Sequence, residues 1–355
     1  MKKKTIVFTG GGTAGHVTPN LALINELDKG EWNIQYIGSK KGIERELVEK
    51  AGVPYHGISS GKLRRYFDME NAKDIFRVLR GCFEARRILK KMKPRLLFSK
   101  GGFVSVPVVI AARTLQIPIF IHESDLTPGL ANKISQRFAT KIFTSFDETV
   151  KYLPANKTIA IGSPIRREIL EGSAEKGRKY LGFDSWKPVI TIMGGSLGAK
   201  RINEAVRSVL PQLTANFHIA HICGKGNLDE SLSSVKGYKQ FEYIHGELPD
   251  ILAATNFVIT RGGSNSIFEF LALEIPMVII PLTLQQSRGD QILNARSFEE
   301  KGYSLTLNEE NLTEETLLAA LEELKNKSAE MKKKMKSGYK QNALDTLLEE
   351  IAKVK

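Results

Sequence analysis

Residues 5–23 read TIVFTGGGTAGHVTPNLAL, and residues 189–206 read VITIMGGSLGAKRINEAV. Each is a short β-branched run, then glycines, then a stretch with helical spacing: a strand that turns through a glycine loop into a helix. One such start is a local feature, whereas its return half a chain later marks a second sheet. Strand-like runs fall at Thr5–Thr9, Ile34–Ile37, Leu96–Ser99, Ile117–His122, Lys141–Ser145 and Thr158–Ile161. A second series falls at Val189–Met193, His218–Ile222, Phe241–Ile244, Phe257–Thr260 and Met277–Pro281. Helical spacing lies between them, at Pro19–Leu27, Ala72–Met92, Ile202–Leu213 and Ser266–Leu273, and the end, Leu317–Lys355, reads as helix. Alternating strand and helix requires parallel sheets covered by helices. The expected fold class is α/β, with two Rossmann-like parallel-sheet domains at 1–162 and 163–340 joined through residues 159–172. A C-terminal helix, 341–355, is free to cross back to the first domain.

Further glycine loops follow later strands, in LLFSKGGFVSVPVVIAA (96–112) and FVITRGGSNSIFEFLAL (257–273). Loops at the carboxyl ends of parallel strands are where such sheets bind ligands. Four of them in two domains predict a cleft between the domains.

With 355 residues the chain has room for two ordinary cores, and 42% hydrophobic and 26% charged residues describe a globular protein. Two cysteines, Cys82 and Cys223, cannot build a disulfide framework and suit a reducing compartment. No apolar run reaches transmembrane length. The net charge of +13 is one-sided: residues 1–162 hold 27 basic against 14 acidic side chains, and residues 163–355 hold 25 of each. Lys62–Lys100 alone has 13 basic against 4 acidic residues, a field that attracts an anionic partner.

The first loop matches the spacing of a dinucleotide-binding turn, whose helix start offers N–H groups to phosphate oxygens. A nicotinamide site needs an acid at the end of the second strand. Gly38, Ser39 and Lys40 stand there instead, which removes that reading. His16 directly follows the last glycine. A helix N-terminus disfavours the imidazolium, so the ring stays neutral and able to accept a proton, or simply bonds locally. His218 and His221 are three apart on a strand and project to opposite faces, and no Asp-x-Asp pair occurs, so no metal is expected. In 257–294, Ser264, Asn265 and Ser266 open a helix with donors for a diphosphate, Glu269 stands a turn later within reach of a ribose diol, and Gln285, Gln286, Asp290 and Gln291 form a polar group suited to sugar hydroxyls.

The segments GGGTAGHVTPNLAL, SKGGFVSVPVVIAA, IHES, GSPIR, GGSLGA and RGGSNSIFEFLALEIPMVIIPL occur in that order across nearly the whole chain. Together they resemble the MurG family, the peptidoglycan N-acetylglucosaminyltransferases of bacteria. The resemblance implies a GT-B architecture, with two Rossmann-like parallel-sheet domains facing across a cleft. It implies transfer of N-acetylglucosamine from UDP-GlcNAc to the C4 hydroxyl of undecaprenyl-linked lipid I, with inversion, giving lipid II, with no cofactor and no metal. His16 matches the residue put forward as general base. Gly11 and Gly12 match the loop for the acceptor diphosphate, while Thr13, Ala14 and Gly15 also line the donor sugar. Gly101, Gly102, His122, Glu123 and Asp125 fall on the acceptor side, Glu123 as a second catalytic candidate. Arg166, Ser196, Ser264, Asn265, Ser266, Glu269, Asp290 and Gln291 match the donor side. Two positions depart from the family pattern. Ala14 replaces a glycine, so the loop is right-handed there or reshaped. Asp125 replaces an amide and can accept but not donate.

On Ala72–Met92, Ile75, Phe76, Leu79 and Phe83 share a face with Arg80 and Arg86 around it. By spacing alone this is equally an ordinary core-facing helix. A lipid-linked acceptor favours reversible attachment to the anionic cytoplasmic membrane surface of the cell, without nucleic acid as a partner. The alternatives are another GT-B UDP-sugar enzyme, either a transferase to another lipid acceptor or a UDP-GlcNAc 2-epimerase. A nucleic-acid module would leave the glycine loops unused.

Overall fold

The computed structural model describes the chain except residues 1–2, 62–68, 185, 196–197, 245, 340–341 and 355, and only the backbone of 69–73. The chain divides into two compact units, Met1–Pro164 with Asn342–Lys355, and Ile165–Gln341.

The sheet of the first unit contains β1 (Lys4–Thr9), β2 (Trp32–Ser39), β3 (Tyr55–Ile58), β4 (Leu96–Ser99), β5 (Ile119–Glu123), β6 (Lys141–Thr144) and β7 (Thr158–Ala160). Their order is β3-β2-β1-β4-β5-β6-β7, and every pair is parallel. Because side chains alternate along a strand, β1 feeds two cores. Ile6 and Phe8 pack with Leu23 and Trp32 on one face, and Val7 packs with Ile37, Leu97 and Ile121 on the other. The helices Met69–Met92 and Ser105–Thr114 cover the second face through Ala85, Leu89, Val108 and Val109.

The second unit holds β8 (Val189–Met193), β9 (His218–Ile222), β10 (Tyr238–Phe241), β11 (Phe257–Thr260), β12 (Met277–Ile279) and β13 (Ser304–Thr306). Their order is β10-β9-β8-β11-β12-β13, again all parallel. In each sheet the strand order reverses at the first strand, between β1 and β4 and between β8 and β11. The chain leaves those strands in opposite directions, opening a crevice at their carboxyl ends. The four glycine loops of the sequence stand at those ends.

Several local expectations are corrected. The outer strands β3 and β13 escaped notice because they are short and half-buried, without an apolar run to mark them. The tenth strand is Tyr238–Phe241 rather than Phe241–Ile244, since burying Tyr238 against the core sets the register. Ile202–Leu213 is two helices, Lys200–Ser208 and Leu210–Asn216, because Pro211 cannot continue a helix but suits the first turn of the next. The terminal stretch likewise breaks into Glu314–Gly338 and Ala343–Ala352.

The last helix belongs to the first unit. Leu344, Leu347 and Ile351 share the core of Ile6, Phe8 and Trp32, and Glu350 forms an ion pair with Lys141 at the start of β6. Leu347 is fully buried. Leu347→Ala is therefore expected to destabilise the first unit by about 3 kcal/mol, read as a lower urea midpoint for that unit's transition; an unchanged midpoint would show the helix to be an accessory.

Candidate active site

At the end of β1 the chain turns through Gly10–Gly12 into one 3-10 turn, Ala14–His16, and then the helix Thr18–Glu26. Ala14 has right-handed backbone in this turn, so its methyl group is accommodated and the loop keeps its path. Thr13 Oγ1 lies 2.9 Å from His16 Nδ1 and orients the ring. When Nδ1 donates to that hydroxyl, Nε2 carries the lone pair, the tautomer a base needs.

A residue that sequence reasoning missed supports this loop from below. Glu44, buried in the first turn of the helix Ile43–Lys50, accepts from Gly12 N (3.2 Å), Ser39 N (3.0 Å) and Ser39 Oγ (2.5 Å). A Cβ on Gly11 would stand 2.5 Å from its carboxyl carbon, so glycine there is steric as well as conformational. In sequence, Glu44 looks like any charge on an exposed helix. Only the folded loop shows its carboxylate turned inward.

The second glycine loop, after β4, touches the first. Gly102 has φ +82, and a Cβ there would lie 2.1 Å from Gly11 O; Gly101, at φ +89, packs on Asn132. Just before them stands Lys100, another residue absent from the expected site. Its Nζ is buried and donates to His122 Nδ1 at 2.5 Å and to Ser124 Oγ. Burial pushes this ammonium down to about 8, against the pull of Glu123 and Asp125. His122 has no exposed surface, and burial together with the Lys100 charge holds it well below the usual histidine range. It is a neutral ring accepting from an ammonium. Glu123 is buried too, with Oε1 accepting from Asp125 N (3.0 Å) and Oε2 from Gly129 N (3.0 Å) and Asn132 Nδ2 (2.8 Å). Burial and the Asp125 charge raise its pKa while these donors oppose the rise. The geometry gives His122 and Glu123 the work of shaping the 122–132 turn, and leaves His16 as the more exposed basic group.

In the second unit the helix Ser264–Ala272 follows β11 through Arg261, Gly262 and Gly263. Its first turn carries Ser264, Asn265 and Ser266, with N–H groups facing the end of the sheet where an anion is favoured. Glu269, one turn on, accepts from Arg166 Nη2 at 3.1 Å, so two residues far apart in sequence meet. Burial raises the Glu269 pKa and Arg166 counters it. A Cβ on Gly262 would sit 2.5 Å from Gln291 O, and Asn294 Nδ2 donates to Gly262 O at 3.1 Å. The start of the helix Asp290–Glu300, with Asp290 and Gln291, therefore lies against the Ser264 loop. Gln291 Oε1 accepts from Leu282 N at 3.2 Å. Sequence reasoning also missed the buried pair Arg261–Glu309 (2.5 Å), which anchors the base of this loop. Ser196 lies outside the described residues.

On Met69–Met92 the apolar face named from sequence is turned to solvent. Phe76 is 73% and Phe83 75% exposed, with Ile75 and Leu79 about half exposed, while Ala85 and Leu89 face the core. Arg80 pairs with Glu84 at 3.1 Å, and Arg86 donates to Thr114 Oγ1 at 3.2 Å. Among the described residues no helix is long and apolar enough to cross a membrane, and no group of His, Cys, Asp and Glu is arranged to hold a metal ion.

Two family descriptions match the chain: the glycosyltransferase family 28 N-terminal domain over residues 6–144, and its C-terminal domain over 189–351. A Bacillus cereus protein named UDP-N-acetylglucosamine–N-acetylmuramyl-(pentapeptide) pyrophosphoryl-undecaprenol N-acetylglucosamine transferase 2 is 58% identical over 349 residues, 98% of this chain and 99% of its own. The transferase of that name, without the numeral, from Shouchella clausii is 58% identical over 348 residues, 98% of each chain. The crystal structure of Acinetobacter baumannii MurG shares the fold with a TM-score of 0.80 at 24% identity, covering 99% of this chain and 100% of that one. The chain belongs to this family of N-acetylglucosaminyltransferases.

The buried ammonium makes a prediction about stability. Its folded pKa of about 8 lies below the ordinary 10.5, so the wild type carries the full desolvation cost below pH 8 and none above 10.5. The stability of Lys100→Met relative to wild type is expected to fall as pH rises through this window, measured by urea unfolding at pH 7 and 10.5. A difference independent of pH would mean that Lys100 is not buried as an ammonium.

Proposed function

We propose that this chain transfers N-acetylglucosamine from UDP-N-acetylglucosamine to the C4 hydroxyl of the muramoyl sugar of the undecaprenyl-diphosphate-linked pentapeptide acceptor. The observation that carries the reading is 58% identity, over 98% of the chain, to transferases named for that reaction. The geometry supplies parts that fit it. His16, oriented by Thr13, takes the proton from the acceptor hydroxyl as the new bond to the anomeric carbon forms. In the second unit the helix start at Ser264 and the Arg166 guanidinium neutralise charge on the departing diphosphate. Glu269 exchanges its ion pair with Arg166 for the ribose hydroxyls when UDP binds. Asp290 and Gln291, beside the Ser264 loop, supply polar groups for the sugar. Attack at the anomeric carbon from the face opposite UDP inverts its configuration.

We further infer that the chain works at the cytoplasmic face of the membrane, held there by Ile75, Phe76, Leu79 and Phe83 with Arg80 and Arg86 around them. Exposed apolar side chains on one face of a helix, bordered by arginines, suit an interfacial position.

Three measurements test these readings. His16→Ala is expected to lower kcat for labelled-sugar transfer to a lipid I analogue by about 100-fold or more, with UDP-N-acetylglucosamine binding unchanged; near-full turnover would remove the base assignment. UDP-N-acetylglucosamine incubated without acceptor is expected to stay unepimerised. Replacing both Phe76 and Phe83 by Ser is expected to abolish cosedimentation with anionic vesicles while leaving transfer to a short-chain, water-soluble acceptor intact.

A further inference from the structure

Beneath the glycine loop that follows β8, the core of the second unit holds a chain of polar side chains that the reaction above does not use. His221 lies on β9, on the face where Ile219, Ile192 and the helix residues Ile202 and Val206 form an apolar core. It has no exposed surface, and both ring nitrogens are bonded: Nε2 to Asn203 Oδ1 at 3.0 Å and Nδ1 to Tyr238 Oη at 2.9 Å. Asn203 Nδ2 in turn donates to the main-chain oxygen of Cys223 at 3.0 Å. We propose that His221 is a positioning residue for the nucleotide-sugar donor: through Asn203 it fixes the Cys223 carbonyl on which Gly198 rests, and so sets the helix start that meets the donor diphosphate. The inference rests on the reading above, which supplies the donor.

The hydrogen bonds run in one direction. Because the Asn203 amide nitrogen donates to Cys223, its oxygen must accept, so Nε2 of His221 carries the proton. Nδ1 then holds the lone pair and accepts from the Tyr238 hydroxyl. Burial, with the Arg207 charge, pushes His221 down to about 3, so the ring is neutral at physiological pH and the direction does not reverse. Asn203, His221 and Tyr238 are all buried, at positions where apolar side chains would pack without needing partners. A fully satisfied polar chain in such a place selects one arrangement of the elements it joins.

What it arranges is the loop after β8. Gly198 has φ +75, and a Cβ there would lie 2.1 Å from Cys223 O, so its backbone rests directly on that oxygen. The Gly198 N–H closes the loop onto Gly195 O at 2.9 Å. On the other side of the contact, Cys223 N donates to Phe241 O at 2.8 Å, and Arg207 Nη2 donates to Asn227 O at 2.5 Å. Asn203 also belongs to the helix Lys200–Ser208, where its N–H bonds Ala199 O at 2.8 Å, so its side chain ties the helix start to the end of β9. β8 pairs with β11, and this helix start therefore stands at the same end of the sheet as the Ser264 loop. Its first turn carries Lys200 and Arg201 and no acid, which favours a diphosphate there.

The test compares His221→Phe, His221→Gln and Tyr238→Phe with wild type. Phenylalanine fills the space without hydrogen bonds, whereas glutamine brings a terminal N–H near the Nε2 position and restores donation to Asn203. With Asn203 left unpaired, His221→Phe is expected to raise the UDP-N-acetylglucosamine KM about tenfold, with the acceptor KM unchanged, and His221→Gln to recover most of the loss. UDP is expected to bind His221→Phe about tenfold more weakly, while uridine, which lacks the diphosphate, binds as it does to wild type. In the free protein, hydrogen exchange at the Gly198 amide is expected to quicken in His221→Phe. Tyr238→Phe keeps the ring and the packing, and is expected to move the donor KM in the same direction by less, so the test stands even if His221→Phe fails to fold. A histidine that serves stability alone would lower the melting temperature and leave the donor KM and the Gly198 exchange as they are, and that result overturns the proposal. Equal losses for UDP and uridine overturn it as well. Failure of the wild type to bind UDP would instead overturn the functional reading, while the exchange measurement would still report whether His221 holds the loop.

Discussion

A close backbone approach in the first unit, between Gly11 and Gly102, underlies the arrangement of its candidate site. Adjacent parallel strands β1 and β4 deliver their loops to the same end of the sheet, where both must turn within a few ångströms of each other. A Cβ on Gly102 would come within 2.1 Å of Gly11 O, and one on Gly11 would meet Glu44. With hydrogen at both positions the loops pack, His16 is carried to the rim, and the 122–132 turn closes behind them. The second unit solves the same problem with the same means. A Cβ on Gly262 would strike Gln291 O, and one on Gly198 would strike Cys223 O at 2.1 Å. Glycine is needed in these loops for close approach as much as for dihedral freedom.

Loops brought so close must satisfy their polar groups internally, and this explains the buried charges. Glu44, Glu123 and Lys100 are each buried in the first unit, and each holds a loop at the carboxyl end of the sheet. An isolated buried charge is costly, so each is surrounded by donors or acceptors. Glu123 has three N–H donors, and Lys100 has a histidine and a hydroxyl. Asp125 stands where the family pattern has an amide, and its charge raises the proton affinity of the buried Lys100 against the effect of burial. A negative charge is tolerable at that position because a positive one is buried next to it. Arg261 and Glu309 do the same at the foot of the other unit's loop.

This division also explains what could be read in the sequence. The inner strands, the doubled strand–loop–helix start and the four glycine loops were legible because burial on both faces leaves unbroken apolar runs, and loops at the carboxyl ends leave glycines. The outer strands β3 and β13 were not, since YHGI and SLT carry no apolar run, whereas the equally short edge strand β7 was marked by TIAI. Among candidate site residues, Ser264 to Glu269 and His16 announced themselves by type and position, and Arg166 only through the family resemblance. Glu44, Lys100 and Glu309 did not. Each is a charged residue in a segment that also has surface charges, and its burial follows from tertiary packing alone. One signal was available for Lys100: it lies between a wholly apolar strand and two glycines, where a surface lysine would be out of place.

The uneven charge of the chain follows from the same physics. The first half carries the whole excess of +13, and Lys62–Lys100 concentrates it, yet the structure buries or offsets part of that charge. Lys100 is interior, Lys40 and Arg80 share Glu84, and Arg77 is tied to Asp74. Arg77, Arg80 and Arg86 share one helix with four exposed apolar side chains. Basic residues near an anionic leaflet contribute about 1 kcal/mol each, which concentrates the protein at the surface without fixing its depth. Apolar burial fixes depth but falls off within the width of a headgroup. A helix carrying both is suited to the reversible interfacial attachment proposed above, with its arginines on the water side. The proposed membrane attachment would draw on the unit that holds nearly all of the excess charge, since residues 165–341 carry 23 basic against 22 acidic side chains.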